Sequence, residues 1–313
     1  MSKGSLFWAK ASGKLGEVVL SQVKGQQISR AYQPQVANPR STSQTVQRIK
    51  FSNAVKFYKH ATQALFKFAY EDKRKNESDY NAFMRKNSNV AAYVTRESYL
   101  NQFYPAIGYE WLLSDGSLPA LPLMAEDNVG LTISLGTGEF SSNTTLTVAE
   151  LSQRFIKLYN FAEGDILTFV EIINTDISEL EETPSQPTDW IINQLVISST
   201  DARKVTDVFT AQNGHAFGTA EDWHIKGETS EEKKLVCAAA SVLGSNCIAG
   251  AALIQSRNVA GQKLLVSRAY LVNNKYANAL YNASIQPAYI NQALNSWGRT
   301  QDAILQGGLA KNL

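Results

Sequence analysis

Acid is what the first seventy residues lack. Between Met1 and Tyr70 stand eight Lys and three Arg against the single carboxylate of Glu17, a net +10. To residue 100 the count is 17 bases minus 6 acids, or +11, so residues 101–313 carry 13 bases minus 22 acids, or −9. The whole-chain charge of +2 conceals this split. A basic arm of this kind attracts nucleic acid, an anionic surface, or the acidic half of another copy of the chain.

Cysteine is equally scarce. Cys237 and Cys247 are the only two in 313 residues, which excludes the stapled framework of a small secreted domain and leaves two reduced, buried thiols as the expectation. Histidine is limited to His60, His215 and His224. His215, His224, Cys237 and Cys247 are zinc-ligand types, but 8, 12 and 9 residues intervene between them, whereas zinc sites bring two ligands within two to four positions on a tight turn. No metal and no cofactor are expected. His60 is expected on a solvated helix face.

Familiar catalytic signatures are also missing: there is no phosphate-binding G-x-x-x-x-G-K-[ST] loop, no G-x-S-x-G elbow and no H-E-x-x-H helix. Gly136-Thr137-Gly138 lacks the third glycine of a dinucleotide loop and is expected to be a turn. A non-enzymatic protein is the expectation. No apolar run long enough for a secretory signal precedes Lys10 and Lys14, so a cytosolic product is expected. Leu235–Gln255 is free of charge over a bilayer-spanning length, but its Ala, Gly and Ser content and the Gly244-Ser245-Asn246 turn point to two buried strands.

What is present has clear punctuation. Gly13 to Val36 reads as a hairpin, with strands at 17–20 and 27–32 around Lys24-Gly25. Pro34, Asn38 and Pro39 end it, and Ser41 with Gln44 suits a capping box for the next helix. Phe51, Ala54, Tyr58, Ala61, Leu65 and Phe68 recur at helical spacing on one face, with Arg48, Lys56, Lys59, His60 and Lys67 on the other. Ser78 or Asp79 caps a second helix running toward Tyr93, expected to pair antiparallel with the first. Strands are expected at 130–135, 165–173, 191–198, 234–243, 247–256 and 263–272, with helices at 147–159 (a Thr147/Glu150 capping box) and 289–297. Glu150, Asp165, Glu171, Asp176, Glu179, Glu181 and Glu182 have no calcium-loop spacing. The stretch from Glu179 to Pro187 reads as a solvated acidic loop or a docking surface for a basic segment.

Cations neutralise phosphates, and aromatic faces stack on unpaired bases. The N-terminal region offers both. The candidate contacts to nucleic acid or a neighbouring subunit are Lys10, Lys14, Lys24, Arg30, Arg40, Arg48, Lys56, Lys59 and Lys67, with Trp8, Tyr32 and Phe66 as stacking platforms. Phe57 and Tyr58 interleave with the same lysines; the bland alternative is that these rings pack in the core.

Gly13-Lys14-Leu15-Gly16-Glu17-Val18-Val19, Lys24-Gly25 and Asn38-Pro39-Arg40-Ser41-x-x-Gln44-x-x-x-Arg48 resemble a group of uncharacterised bacteriophage-encoded proteins, which share a glycine-bounded hairpin and an Asn-Pro-[Arg/Lys]-[Ser/Thr]-x-x-Gln helix start. The similarity lies mainly over residues 13–60, with weaker echoes at 256–271 and 294–307. It implies a phage context and carries no catalytic residues.

The expected fold is α+β: a basic N-terminal hairpin and helical pair (1–113), a Gly/Ser/Pro linker (114–122), and an acidic, mainly antiparallel β body with a few helices (123–313). The expected function is that of a phage structural or assembly protein acting in the host cytoplasm or the virion. It would self-associate, and its arm would meet nucleic acid or the acidic face of a neighbour. The alternative is a single-stranded nucleic-acid-binding protein. No membrane partner is expected.

Overall fold

The structure is a computed structural model that describes residues 2–3, 12–23, 26–34, 41–60, 65, 67–88, 90, 93–101, 109–126, 130–140, 145–174, 189–209, 223–227, 232–239, 248–259, 264–274, 277–278, 282 and 286–297. Two compact units make up the chain, residues 1–41 and 42–313. The boundary thus falls after Ser41, and residues 114–122 lie inside the larger unit.

The first unit is one antiparallel sheet of β1 (Ser2–Lys3), β2 (Gly13–Leu15), β3 (Val18–Val23) and β4 (Gln26–Ala31), ordered β1-β4-β3-β2. β3 and β4 are the expected hairpin. Leu15 registers opposite Val18, so β2 and β3 are joined by Gly16 and Glu17 alone. Gly16 sits at φ +58°, the positive φ at the first loop residue that glycine accepts without a Cβ clash.

The larger unit begins with α1 (Thr42–His60), α2 (Asp79–Lys86), α3 (Arg96–Asn101) and β5 (Leu112–Ser114). It continues through β6 (Met124–Glu126), β7 (Gly130–Gly136), α4 (Val148–Tyr159), β8 (Ile166–Asn174), β9 (Asp189–Val196), α5 (Val205–Val208), β10 (His224–Lys226) and β11 (Lys233–Ala239). β12 (Ile248–Arg257), β13 (Leu265–Val266), β14 (Ala269–Tyr270), β15 (Val272–Asn273) and α6 (Pro287–Ser296) complete it. The strands form an antiparallel sheet β10-β11-β7-β6, a second one β13-β12-β8-β9 with β15 also on β12, and the pair β14-β5. This is the expected α+β fold with a mainly antiparallel β body.

β8 explains why its sequence is an almost unbroken apolar run: both of its faces are buried. Val170 and Ile172 face a core shared with Phe57, Phe83, Tyr109 and Trp111. Leu167 and Phe169 face the opposite core, with Leu131 and Ile133 of β7, Leu235 of β11 and Phe155 of α4. The second sheet therefore separates two cores. The charge-free stretch after Lys234 contains β11 and the start of β12, as expected, and no helix of the described residues is long and apolar enough to cross a membrane.

Local signals behave as their chemistry requires. Thr147 Oγ1 accepts from the Glu150 N–H at 3.2 Å while Glu150 Oε2 accepts from the Thr147 N–H at 2.8 Å, which is the full capping box. α4 ends at Asn160, at φ +58°. Ser78 caps α2 by accepting from the Asn81 N–H, and α1 meets α2 through ring contacts of Phe57 and Tyr58 with Phe83.

Two elements differ from expectation. The buried stripe of α1 is Ile49, Asn53, Ala54 and Phe57, whereas Phe51 is 57% exposed. α1 carries two interleaved apolar rows, and contact with Trp111 selects the row containing Phe57. The described span of α1 runs to His60 and Leu65 is again helical, while Phe68, at a φ of +63° that no right-handed helix accommodates, lies outside the helix. The strand expected at 263–272 is, among the described residues, three short pieces, because the chain leaves β12 to pair with β5 and then returns to β12.

Candidate functional site

In the first unit, strand register assembles a basic row. Lys14 is opposite Val19, and Val19 is opposite Arg30, so the three share one face of the sheet across β2, β3 and β4. Lys14 and Arg30 are exposed. The Lys14 ammonium lies 3.5 Å from the centroid of the Tyr32 ring, a cation–π contact, and Tyr32 is itself 42% exposed. Glu17, the one acid of this unit, shares a shallow recess with Arg30 and Tyr32. The opposite face carries Leu15, Val18 and Leu20. Leu15 is 56% and Val18 41% exposed, whereas Leu20 is buried. Three of the expected contacts, Lys14, Arg30 and Tyr32, are thus brought together. Trp8, Lys10, Lys24, Arg40 and Phe66 lie outside the described residues.

The helical cations do not form one continuous face. Arg48 and Lys59 are exposed on α1. Lys56 is half-buried: its ammonium donates to the Tyr99 carbonyl and sits 4.8 Å from the Tyr99 ring centroid. Burial pushes its pKa down. Lys56 is therefore a strut between α1 and α3, and its charge is withdrawn from solvent. Phe57 is fully buried and stacks on Trp111 at 4.5 Å, so it offers no face to a base. Tyr58 packs against Tyr80 and Phe83.

Beyond α1, Lys67 and Phe68 emerge on a firmly held segment. Ala69 C=O accepts from the Asp115 N–H at 2.9 Å, and the Glu71 N–H donates to Asp115 C=O at 3.1 Å. The buried Tyr70 hydroxyl donates to Leu112 C=O at 2.8 Å. Glu71 Oε1 accepts from the backbone N–H groups of Val266 (2.6 Å) and Ser117 (3.0 Å). These bonds hold Phe68 in its left-handed conformation, which costs a β-carbon residue on the order of 1–3 kcal/mol. Its ring is 51% exposed, with the ammoniums of Lys67 and Lys73 at 5.6 and 5.5 Å from the centroid. Sequence reasoning offered Phe66 as the exposed ring; the helix break that exposes Phe68 has no local signature.

Among the described residues, several acids of the larger unit have structural roles. Glu150 is used in the α4 cap. Glu171 is fully buried, and Asp165 is 1% exposed and bonded by Arg257. Asp176, Glu179, Glu181 and Glu182 lie outside the described residues. Glu126 receives two 2.8 Å bonds from the Lys234 ammonium; this partner and the Thr132 hydroxyl hold its carboxyl below the usual range. Among the described residues, no group of three or more His, Cys, Asp or Glu is placed to hold a metal ion. His224 stands opposite Val236 on β10, and the Cys237 position on β11 is opposite Leu131; His215 and Cys247 lie outside the described residues.

No curated protein and no solved structure matches the chain. Residues 10–164, which run from the basic sheet to the residue before Asp165, match the family model described as Family of unknown function (DUF6266).

Proposed function

We propose that this protein is a non-enzymatic structural or assembly protein whose N-terminal sheet docks on an anionic surface, above all the acidic portion of a neighbouring copy. The supporting observation is the composition of that sheet. Among its described residues only Leu20 and Gln27 are buried, while Leu15, Val18, Val23 and Tyr32 are 41–56% exposed. A 41-residue unit with so small a core gains stability from another surface. Its basic row and the −9 of residues 101–313 are complementary, and a head-to-tail contact of this kind closes into a ring or extends as a filament. The bacteriophage setting implied by the N-terminal motifs, in host cytoplasm or virion, belongs to this proposal.

The test is light scattering on nuclease-treated protein after size exclusion, at low and high salt. Wild type is expected to form a defined oligomer, and Val18→Asp together with Arg30→Glu to run as a monomer. A wild-type monomer at every concentration and salt would overturn the reading.

A second reading, single-stranded nucleic-acid binding, draws on Lys14, Tyr32 and Arg30 lying together on the exposed sheet. It requires an affinity that falls steeply with log salt, and loss of oligonucleotide binding in Tyr32→Ala and Lys14→Ala.

A further inference from the structure

The even-numbered residues of β8 and β9, with their registered partners on β12, form one face of the central sheet. At one end Val170, Ile172 and Ala252 are covered by the aromatic core. Toward the other end the aromatic cover stops among the described residues: Gln194 is exposed and Val196 is 52% exposed. Here the face becomes the floor of a cavity of about 600 Å³, lined by branched aliphatics such as Ile166, Ile192 and Ile254 and walled by the Lys67–Ala69 segment. This is the size and largely apolar character of small-molecule sites.

Its polar groups are few and of one kind. Thr168, Asn193, Gln194 and Ser256 supply uncharged hydrogen-bonding groups, and Lys67 is the one charged residue among the described lining residues. Lys73, the other ammonium beside Phe68, is paired with Asp79 at 2.7 Å; Lys67 has no ion pair among the described residues. Trp190 also lines the cavity, and its buried indole N–H has no acceptor among the described residues. An apolar floor and a cation at the rim complement a ligand with an apolar body and an anionic head.

We propose that this groove binds a small amphipathic anion, with its aliphatic body along Ile166, Ile192 and Ile254 and its carboxylate or phosphate at Lys67. The site belongs to the larger unit alone and is independent of the docking role of the N-terminal sheet. Bonds at Ala69, Tyr70 and Glu71 hold the backbone that carries Lys67 beside the groove.

The experiment is isothermal titration calorimetry on the full chain with three probes of equal chain length: sodium decanoate, decyl phosphate and decan-1-ol. Saturable binding of one anion per chain is expected, with the alcohol about tenfold weaker; whichever anion binds more tightly identifies the head group. Lys67→Glu should weaken anion binding about tenfold or more, and Gln194→Trp, at an exposed position, should block the groove while leaving the thermal melt unchanged. Lys157→Glu, on α4, should bind as wild type does. Absence of saturable anion binding, equal affinity for the alcohol, or affinity that survives both Lys67→Glu and Gln194→Trp would overturn the proposal.

Discussion

Arg257 grips Asp165 with two parallel bonds, Nε to Oδ1 at 2.8 Å and Nη2 to Oδ2 at 2.7 Å. Gln255 Nε2 and the Ala162 N–H add donors to the same carboxylate at 2.8 Å each, and Arg257 Nη2 also reaches Asn160 C=O at 3.0 Å. One guanidinium thus ties the end of β12 to the start of β8 and the end of α4. Arg257→Met would leave the carboxylate buried without its counter-charge, a loss on the order of 3–5 kcal/mol. Urea denaturation at neutral pH measures it.

Acid sensitivity follows from depressed carboxyls, Asp165 and Glu77 among them. Burial alone would raise the pKa of Asp165, but the Arg257 fork and the Ala162 and Gln255 donors outweigh it and leave the group below the ordinary range. Glu77 is held at about 2 by the Arg85 guanidinium, with the Arg74 N–H assisting. A carboxyl depressed on folding contributes stability above its unfolded pKa and loses it as pH falls through the folded value. Wild type should therefore weaken progressively from about pH 4.5 toward pH 2. Glu77→Gln should flatten the Glu77 share of that decline, as read from urea midpoints at pH 7, 4 and 2.5.

Phe57 and Phe51 offer a direct contrast on α1. Phe57→Ala removes a fully buried ring that stacks on Trp111 and packs beside Phe83 and should cost about 3–5 kcal/mol. Phe51→Ala, at a site 57% exposed, should stay within about 0.5 kcal/mol. Thermal melts of the two variants distinguish them at once.

Lys56 and Lys59 should separate stability from association. Lys56→Ala loses the bond to Tyr99 C=O and the ring contact, and should cost about 1 kcal/mol while leaving the salt dependence of association unchanged. Lys59→Ala should leave the melt unchanged and reduce that salt dependence. The paired readouts are calorimetric melting and light scattering against salt.

Gly116 is required by close approach. A β-carbon there would collide with the Glu71 carboxylate and the Val266 carbonyl, both part of the staple that holds Tyr70 and Phe68. Gly116→Ala should destabilise by roughly 1–3 kcal/mol, visible as a lowered melting temperature.

Wherever the signal is local, the sequence by itself determined the outcome. The hairpin around Lys24-Gly25, the Thr147/Glu150 box and the Ser78 cap each depend on residues within a few positions of one another, and the α+β class agrees with them. The charge split that marks the first hundred residues is likewise a property of composition. Tertiary structure decided the rest. Two apolar rows on α1 are equivalent until Trp111, from β5's neighbourhood, selects Phe57; residues 114–122 look like a linker until Ser114 Oγ bonds Ser267 C=O and the Leu118 N–H bonds Val266 C=O. Nothing local marks Asp165 and Glu171 as buried acids; Glu171 is enclosed where β8 lies between β12 and β9, and Asp165 is held by Gln255 and Arg257, 90 and 92 residues away. The physical reason is common to all of these. Burial and partner choice are set by contacts between segments far apart in the chain, and neither periodicity nor spacing within one segment encodes which distant surface will cover it.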